Sequence, residues 1–507
     1  MSAPPAASTE RPRWTSLLVT LAIAATILGF IWWGTSLTPQ LKVMATYPLV
    51  LFTGIALFVW LLRSRLPKSI RRNVLLAAAA VAVLFVAAFR FDGFTGDLVP
   101  LFTARWSGAD LRVADLGNLR ADDFPQYLGP NRDGKLGGPV LERDWSTNPP
   151  QELWRRPIGE GWSGFAVRDG LAVTQEQNQD GEFVTAFDLE TGEVLWTTRH
   201  DDAFTSSLGG NGPRATPTLT EQRVFATSAA GTLSALDLRS GELYWSHDFV
   251  QETGAPLPEW GHSGSPLIVG DTVVINAGGP GASLVAYTRD TGERRWAEGS
   301  DPAGYASPML TRRDGVDQIV NFTARSVTAH SPIDGRILWQ HSWSAAQPNV
   351  AQPLPLGETD LLVSAGYGVG AQALRLQRTG EDEESLSVQQ IWERNTLKAK
   401  FSNYLEIDGR VYGLDEGIMT CIDPADGARC WKGGRYGHGQ ILQVGDLLLV
   451  QGERGDVYLI DPNPEELREL GSFEALPRKA WNTPALAGNL YLVRNHQEAA
   501  AFQLPTT

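Results

Sequence analysis

The chain shows two patterns of hydrophobic and polar positions. The pattern near the amino terminus predicts helices, and the pattern in the rest of the chain predicts β-strands. The first ninety residues contain three charge-free apolar stretches, WTSLLVTLAIAATILGFIWWG, VMATYPLVLFTGIALFVWLL and NVLLAAAAVAVLFVAAF. Because a membrane span needs about 20 apolar residues, we predict transmembrane helices at about 14–33, 43–62 and 73–90. Beyond residue 150, short runs alternate apolar and polar residues, which is the period of half-buried β-strands.

Basic residues flank the predicted spans unevenly. Arg11 and Arg13 precede the first span, and five Lys or Arg residues lie between 63 and 72 in the second connection. The positive-inside rule therefore predicts a cytoplasmic amino terminus in the inner membrane, with everything after residue 91 outside. The spans contain no internal acid, base or histidine, so we interpret 1–91 as an anchor and not as an ion path.

A stretch rich in Gly, Pro and Asp follows the anchor. Residues 92–148 show no sustained hydrophobic period. Such a composition is typical of connections that lack regular secondary structure. We therefore predict an extended linker at 92–148 and a β-domain at 149–507.

A thirteen-residue unit repeats through the β-domain. It is VTAFDLETGEVLW at Val184–Trp196, a β-run, a turn with Gly at the position that favours positive φ, and a second run ending in Trp. The unit returns as LSALDLRSGELYW, LVAYTRDTGERRW, VTAHSPIDGRILW and MTCIDPADGARCW. Because an isolated hairpin is marginally stable in water, these copies must bury their faces against one another.

The spacing of the closing tryptophans predicts the architecture. They recur at intervals of 39 to 53 residues, at 154, 196, 245, 296, 339, 392 and 431, and a four-stranded propeller blade takes about 40–50 residues. The seventh unit, counted from Val184–Trp196 as the first, is degenerate. It has Phe473 near the position of the closing tryptophan. The last segment supplies three strands, and Glu152–Arg156 can supply the fourth. We predict an all-β, eight-bladed propeller, with seven blades as the alternative; a linear solenoid would need capping repeats.

Charge and cysteine content exclude several classes of protein. The formal net charge of −14 argues against nucleic-acid binding, which needs a basic face. The two cysteines form no haem, zinc or CxxC motif. Cys421 and Cys430 lie on the two arms of one hairpin, and facing positions there are close to disulfide range. In an oxidising compartment we predict a disulfide, with two packed free thiols as the alternative.

The repeat resembles a known family. The unit A-x-D-x-x-T-G-x-x-x-W is similar to the tryptophan-docking motif of the pyrroloquinoline-quinone-like (PQQ-like) propeller repeat family, over about Asp123 to Leu504. That family includes the quinoprotein alcohol and glucose dehydrogenases and the assembly lipoprotein BamB. The segments GPRATP, KAKFSN and KGGRYGHGQ look like those of membrane-anchored members. The resemblance implies that the repeat tryptophans pack between blades.

One face of the predicted propeller collects the unusual loops. Connections from the fourth strand to the next first strand share this face with the second-to-third turns, and loops on a rigid scaffold often carry function. His438 has glycines at 433, 434, 437 and 439, which allow close approach to a ligand. The alternative is an ordinary turn with surface charges. The candidate ligand- or cofactor-binding residues are Arg214, Lys400, Asn403, Glu416, Lys432, Arg435, His438, Glu453 and Asn482, of which Glu416 and His438 are also catalytic candidates.

Two functions fit these observations. The first is a membrane-anchored scaffold or recognition module that binds envelope proteins, glycans or a small ligand at this face. The alternative, implied by the resemblance, is a membrane-bound dehydrogenase that oxidises alcohols or sugars with PQQ and Ca²⁺ and passes electrons to the quinone pool. The chain lacks the adjacent cysteines common in those enzymes, its blades are shorter, and no metal-ligand spacing is evident. We therefore favour the binding module.

Overall fold

The structure is a computed structural model that describes residues 14–35, 37, 39–64, 66–94, 100–104, 116–343, 348–380 and 385–507. The chain divides into two compact units, 1–109 and 110–507. The basic residues Arg11, Arg13 and Arg65, on which the predicted orientation depends, lie outside the described residues.

The first unit contains three long apolar helices. They are α1 (Trp14–Trp33), α2 (Pro39–Arg63) and α3 (Lys68–Ala88). By length and composition each contains a segment able to cross a membrane. α3 begins five residues before the predicted span because the helix takes in the basic turn that follows Pro67, and it ends at 88 where Phe89 becomes extended. Strand Phe89–Phe94 then pairs antiparallel with Pro100–Ala104.

The second unit is an eight-bladed propeller, as the repeat predicted. Each blade is a four-stranded antiparallel sheet, and its strands are given in order from the inner edge to the outer edge; in blade 7 the short strand Lys135–Leu136 adds parallel to the inner strand. Blade 1 comprises Ala166–Arg168, Leu171–Asn178, Gly181–Asp188 and Val194–Asp201; blade 2, Thr218–Leu219, Arg223–Thr227, Thr232–Asp237 and Leu243–Asp248; blade 3, Leu267–Val269, Thr272–Gly279, Ala282–Thr288 and Arg294–Glu298; blade 4, Met309–Arg313, Val316–Phe322, Ser326–His330 and Ile337–Ser342. A short helix, α4 (Phe249–Thr253), follows blade 2.

The remaining four blades complete the ring. Blade 5 comprises Leu354–Leu356, Asp360–Ala365, Gly370–Arg378 and Leu386–Arg394; blade 6, Tyr404–Ile407, Arg410–Asp415, Ile418–Ile422 and Arg429–Arg435; blade 7, Gln440–Val444, Leu447–Gln451, Asp456–Asp461 and Arg468–Glu474; blade 8, Ala485–Ala487, Leu490–Arg494, Glu498–Gln503 and, as outer strand, Gln151–Pro157. Trp154 lies opposite Ala501, so blade 8 combines the two ends of the domain and closes the ring.

Two parts of the repeat motif stabilise the propeller: the turn within each blade, and the tryptophan that contacts the next blade. In blade 1 the Asp188 carboxylate accepts the backbone N–H of Thr191 at 2.8 Å, and Gly192 takes φ +69°. In the same blade Trp196 donates its indole N–H to the carbonyl of Leu238 in blade 2, at 3.1 Å. Its ring covers Gly241, where any side chain would overlap the indole. Each such contact buries an aromatic ring between neighbouring blades, which explains why the spacing of tryptophans predicts the ring.

Blade 7 departs from the expected pattern. In blade 1 the tryptophan lies opposite Ala186, next to a β-bulge; the matching position in blade 7, opposite Leu459, is Gly471 and not Phe473. Trp145, which precedes the first blade, packs against Gly471 and lies 5.6 Å from the Phe473 ring, measured between centroids. A tryptophan from the amino-terminal segment thus fills the space that the repeat leaves open.

Residues 116–148 pack within the propeller, although their composition predicted an extended linker. Leu116, Phe124, Leu128, Leu141 and Trp145 are all buried. The segment contacts the inner strands, or the residues just before them, in blades 1, 2, 3, 5, 6 and 7, through Phe124–Val167, Leu219 to Pro125, Arg132 to Pro266, Gln352 to Arg132, Asn403 to Tyr127 and Gln443 to Gly134. A stretch that contacts inner strands around the ring crosses the central channel. We call residues 123–136 the plug.

Cys421 and Cys430 are free thiols in the structure, which differs from the predicted disulfide. Cys421 is buried and lies opposite Trp431, and the register shift that follows leaves Cys430 as the extra, exposed residue of a β-bulge. Because the two residues are offset by one position, they do not face each other directly. Their thiols still interact, and burial with this contact raises the pKa of the Cys421 thiol to about 12.

A candidate binding funnel

A cavity of about 290 Å³ opens at the face predicted from the loops. Its lining comes from the connections that lead into the inner strands, from the second-to-third turn of blade 5, and from the plug. We call this cavity the funnel, and it is lined by Tyr127, Trp162, Leu208, Gly209, Arg214, Thr216, Trp260, Ser263, Ser265, Tyr305, Ser307, Val350, Tyr367, Phe401, Gln440, Trp481 and Thr483.

Aromatic side chains form the wall of the funnel. Ring centroids lie 4.8 Å apart for Trp162 and Trp481, and 4.9 Å apart for Trp481 and Phe401. The series continues with Tyr367, 6.4 Å from Phe401, and Trp260, 6.5 Å from Tyr367. All five are half-buried. We call them the aromatic collar; such rings offer a large apolar area to a ligand at low cost in side-chain entropy.

Gly209 closes the gap between the two ends of the collar. Its carbonyl accepts the indole N–H of Trp162 at 2.7 Å, and Trp260 packs against its Cα. The neighbouring Leu208 is 74% exposed and lies at the lip of the funnel. The wall therefore continues around the opening.

Hydroxyl groups line the floor, and a belt of hydrogen bonds between blades positions them. The backbone N–H of Gly164 donates to Thr216 Oγ1 at 3.2 Å, and that of Thr216 donates to Ser265 Oγ at 3.0 Å. The N–H of Ser265 in turn donates to Ser307 Oγ at 2.9 Å. Each hydroxyl oxygen thus accepts a bond from the preceding blade and keeps its own hydrogen to donate.

The plug supplies the centre of the floor. The Tyr127 hydroxyl accepts a 2.6 Å hydrogen bond from Asn403 Nδ2, and Asn403 Oδ1 accepts the N–H of Gln352 at 2.8 Å. Burial raises the pKa of Tyr127, so this residue stays neutral. Asn403, predicted as a ligand contact, is buried and positions Tyr127 without lining the funnel.

Arg132 of the plug lies beneath this floor. It is 2% exposed, and its guanidinium donates to the carbonyls of Ser265 at 2.9 Å and Pro266 at 2.8 Å and to Gln126 Oε1 at 3.1 Å. All three acceptors are neutral. Burial lowers the pKa of Arg132 to about 9, which still leaves it cationic at neutral pH.

Arg214, a predicted site residue, lines the wall. Its guanidinium donates to the carbonyls of Gly210, at 2.6 Å, and Gly212, and lies 4.7 Å from the centroid of Phe204. Burial lowers the pKa of Arg214 to about 10, and nearby Glu182 opposes that shift. It is the one charged side chain among the described residues that line the funnel.

Charged groups surround the rim of the collar. Lys400 Nζ lies 4.4 Å from the Tyr367 centroid, and Lys479 Nζ lies 3.8 Å from the Trp481 centroid. Glu453 accepts the indole N–H of Trp481 at 2.7 Å. The predictions that Lys400 and Glu453 lie at this mouth fit the geometry; Lys479 was missed.

Glu416 and His438, the two catalytic candidates, lie behind the rim and do not line the funnel. Glu416 accepts the N–H of Gly368 at 3.0 Å, and the His438 backbone N–H donates to Glu453 at 3.1 Å. The His438 ring lies 5.5 Å from the Phe401 ring, measured between centroids. Burial and then Lys400 lower the pKa of His438, so its ring is neutral at neutral pH.

Three further candidates lie outside the funnel. Lys432 Nζ pairs with buried Asp415 at 2.7 Å, and Lys398 pairs with the same carboxylate at 2.7 Å. Arg435 is exposed at the end of the outer strand of blade 6. Asn482 is buried and donates to the carbonyls of Gly161 and Ser163 at 3.1 and 2.8 Å. Lys432 is therefore bound within its blade, and Asn482 braces blade 8 against blade 1.

The side chains of the funnel do not fit calcium-bound PQQ. Ca²⁺ takes about 6–8 oxygen ligands, usually including carboxylates, but the lining described above contains no carboxylate. Across the described part of the chain, no group of three or more His, Cys, Asp or Glu residues is arranged to hold a metal ion. The nearby Glu453 accepts hydrogen bonds from Trp481 and from the His438 backbone.

Fold and funnel together define a class: eight-bladed propellers with tryptophan-docking repeats of the PQQ-like type. A family model described as outer membrane protein assembly factor BamB matches residues 145–304 and 180–433, more than half of the chain. The chain belongs to this family.

Curated relatives include BamB of Burkholderia pseudomallei (strain K96243), which is 26% identical over 328 residues covering 62% of this chain and 77% of that protein. BamB of Moranella endobia (strain PCIT) is 24% identical over 306 residues, covering 56% and 71%.

Solved structures share the fold at low sequence identity. A europium-containing methanol dehydrogenase superposes with a TM-score of 0.56 at 12% identity, covering 76% of this chain and 98% of that chain. BamB from Moraxella catarrhalis gives 0.51 at 13% identity, covering 70% and 98%. A quinohemoprotein alcohol dehydrogenase from Comamonas testosteroni gives 0.54 at 13%, covering 80% and 84%. Likeness at this identity shows the fold alone, because one fold hosts many activities.

Proposed function

We propose that this protein is a membrane-anchored recognition module of the cell envelope, and that its funnel binds aromatic or apolar side chains of extended segments of envelope proteins. The observation that carries the proposal is the aromatic collar: five half-buried rings around a cavity whose described lining contains no carboxylate. Pockets that bind by apolar contact are lined in this way, with a few polar groups that fix the orientation of the ligand.

The anchor supports a role at the envelope. Three helices are long and apolar enough to cross a membrane, and the basic residues around them favour an inner-membrane protein whose propeller lies outside the cytoplasm. The curated relatives are called outer membrane protein assembly factors. Envelope polypeptides are therefore the class of partner that we propose.

A titration of the full-length protein in neutral detergent tests the proposal. The ligands are an unstructured peptide with several aromatic residues, the same peptide with serine at those positions, and a neutral oligosaccharide. We expect the aromatic peptide to bind and Tyr367→Ala to weaken binding about fivefold, since an aromatic contact contributes about 1 kcal/mol. Ile391→Ala removes an exposed apolar side chain of the same blade and should leave affinity unchanged.

Other outcomes would redirect the assignment. If the aromatic peptide does not bind, or if Tyr367→Ala and Ile391→Ala behave alike, the funnel is not the peptide site. Binding of the oligosaccharide alone would make the ligand a glycan. A rise in thermal midpoint with PQQ and Ca²⁺, together with dye-linked alcohol or sugar oxidation, would establish the dehydrogenase instead.

A further inference from the structure

We infer that the funnel binds its ligand with a carboxylate at the floor, and that the ligand class is a carboxylate joined to an aromatic or apolar body. This inference rests on the proposed function, because it names the chemistry that the same funnel selects. Three independent features of the floor and wall carry it.

The first feature is the uncompensated charge of Arg132. Its guanidinium bonds to two carbonyls and one amide oxygen, and within the described part of the chain its Nε has no hydrogen-bond partner. A buried charge without a counter-charge is costly. An anion placed above Ser265 and Tyr127, which separate Arg132 from the cavity, would lower that cost.

The second feature is a similar lack of anionic hydrogen-bond acceptors at Arg214, whose side chain lines the cavity. Its guanidinium also bonds to neutral carbonyls. The nearby carboxyl of Glu182 is buried, and burial raises its pKa to about 7, so that this group is only partly ionised at neutral pH. Arg494, Lys479 and Arg214 also help burial to lower the pKa of His496 to about 4, as expected for a region of positive potential.

The third feature is the polarity of the floor. The hydroxyl oxygens of Thr216, Ser265 and Ser307 each accept a backbone N–H from the preceding blade. Each hydroxyl therefore retains its own hydrogen to donate. Several O–H donors beside two guanidinium groups favour an anionic oxygen over a cation. The cavity of about 290 Å³ is at the small end of ligand pockets, so it suits one side chain with its carboxylate and not a folded segment.

Calorimetry on the full-length protein in neutral detergent tests the inference with matched probes. Indole-3-acetate is compared with indole-3-acetamide, and N-acetyl-Gly-Gly-Trp as the free acid with the same peptide as the amide. We expect each acid to bind about tenfold tighter than its amide, the scale of one charge-assisted hydrogen bond. Arg214→Gln should weaken the binding of the acids more than that of the amides, and so reduce the preference for acids by about threefold or more.

The control is Arg313→Gln. Arg313 is also largely buried and donates to the backbone carbonyl of Gly357 at 2.6 Å, but it lies at the opposite end of an inner strand. This variant should keep the preference for acids, and equal thermal midpoints would show that both variants are folded. Arg132→Gln is a second variant with the same expected loss wherever it folds.

The outcomes separate the two proposals. Equal binding of acids and amides would overturn the carboxylate inference and leave aromatic recognition intact. Absence of binding by all four probes would overturn the inference, and the aromatic-peptide titration then decides the proposed function separately. Binding of indole-3-acetate without the peptide acid supports the inference and identifies a small aromatic acid, whereas binding of both extends it to a polypeptide carboxy terminus.

Discussion

At the scale of single residues, Glu182 is an ionisable group with an unusual environment. Its side chain is fully buried, one carboxyl oxygen accepts the N–H of Ala229 at 3.0 Å, and the other has no partner among the described residues. Burial raises the pKa of Glu182 to about 7, and the nearby Asp201 acts in the same direction. The folded protein therefore holds a proton that the unfolded chain releases near pH 4.5.

This proton makes stability depend on pH. The folded pKa of Glu182 lies above its unfolded value. The protonated carboxyl therefore contributes to the free energy of unfolding in full below about pH 4.5, and this contribution is lost as pH rises through about 7. We expect Glu182→Gln to remove this pH dependence. Between pH 5 and pH 8 the free energy of unfolding of the variant should rise by up to about 3 kcal/mol relative to that of the wild type. Urea unfolding of both proteins at the two pH values measures the difference.

The control for that experiment is Glu190→Gln, in an exposed turn of the same blade. It should shift the free energy of unfolding equally at both pH values. If Glu182→Gln and wild type keep the same pH dependence, the carboxyl of Glu182 is ionised in the folded protein and its environment is less apolar than the geometry indicates.

Single residues also show how far the sequence predicts the site. The position of Arg214, Lys400 and Glu453 at this face was predictable because charged residues in Gly- and Pro-bounded loops are conspicuous. Lys432 was misplaced because its partner Asp415 comes from another strand, and the sequence of one strand does not reveal cross-strand pairing. The aromatic collar was missed, although four of its five aromatic residues lie in the loops that precede inner strands and were a visible signal. The ring that these residues form depends on blade closure.

At the scale of elements, the outer strand of blade 8 carries the closure of the ring. Trp154 in this strand is buried, lies opposite Ala501 and donates its indole N–H to Leu189 of blade 1 at 3.0 Å. It also covers Gly192. One side chain therefore joins the last blade to the first.

We expect Trp154→Ala to lower the free energy of unfolding by about 3–5 kcal/mol, the usual cost of truncating a buried aromatic residue. Leu153→Ala, at an exposed position of the same strand, should change it by less than about 0.5 kcal/mol. Denaturant unfolding of the two variants measures both values. Similar losses in both would mean that the strand and not the indole determines closure.

Elements differ in how clearly they are encoded. The hairpin turns are predictable because Asp, Thr or Ser, and Gly occupy fixed positions within a few residues, as in Asp188–Gly192. The plug is not, because its residues bond to several different blades, as Pro125 does to Leu219 in blade 2 and Gly134 to Gln443 in blade 7. Contacts of that kind leave no period in the sequence.

At the scale of the whole molecule, the plug makes the amino-terminal segment part of the propeller. A fragment that begins at 149, the predicted domain boundary, would lose Phe124, Leu128, Leu141 and Trp145 from the interior. We expect the fragment 116–507 to be monomeric with a single cooperative thermal transition, and the fragment 149–507 to aggregate or to melt at least 10 °C lower. A difference of that size corresponds to a loss of about 8 kcal/mol, because a domain this large has an unfolding entropy of about 0.8 kcal/mol/K.

Size-exclusion chromatography and circular dichroism of the two fragments measure these properties. A third fragment, 116–507 with Val140→Ala, changes a side chain that is 67% exposed in the same segment and should behave as the parent. Equal midpoints for 116–507 and 149–507 would show that the ring is stable without the plug.

The closing strand has a consequence for synthesis. Arg155 and Glu498, which form an ion pair at 2.8 Å across the seam, are separated by 343 positions in the chain. The ribosome therefore completes Gln151–Pro157 long before its partner strand exists, and until then the growing molecule is an open fan with two unpaired edges. Such edges readily pair with other chains. A premature stop codon that removes only Glu498–Thr507 should consequently yield a polypeptide that self-associates once it is made.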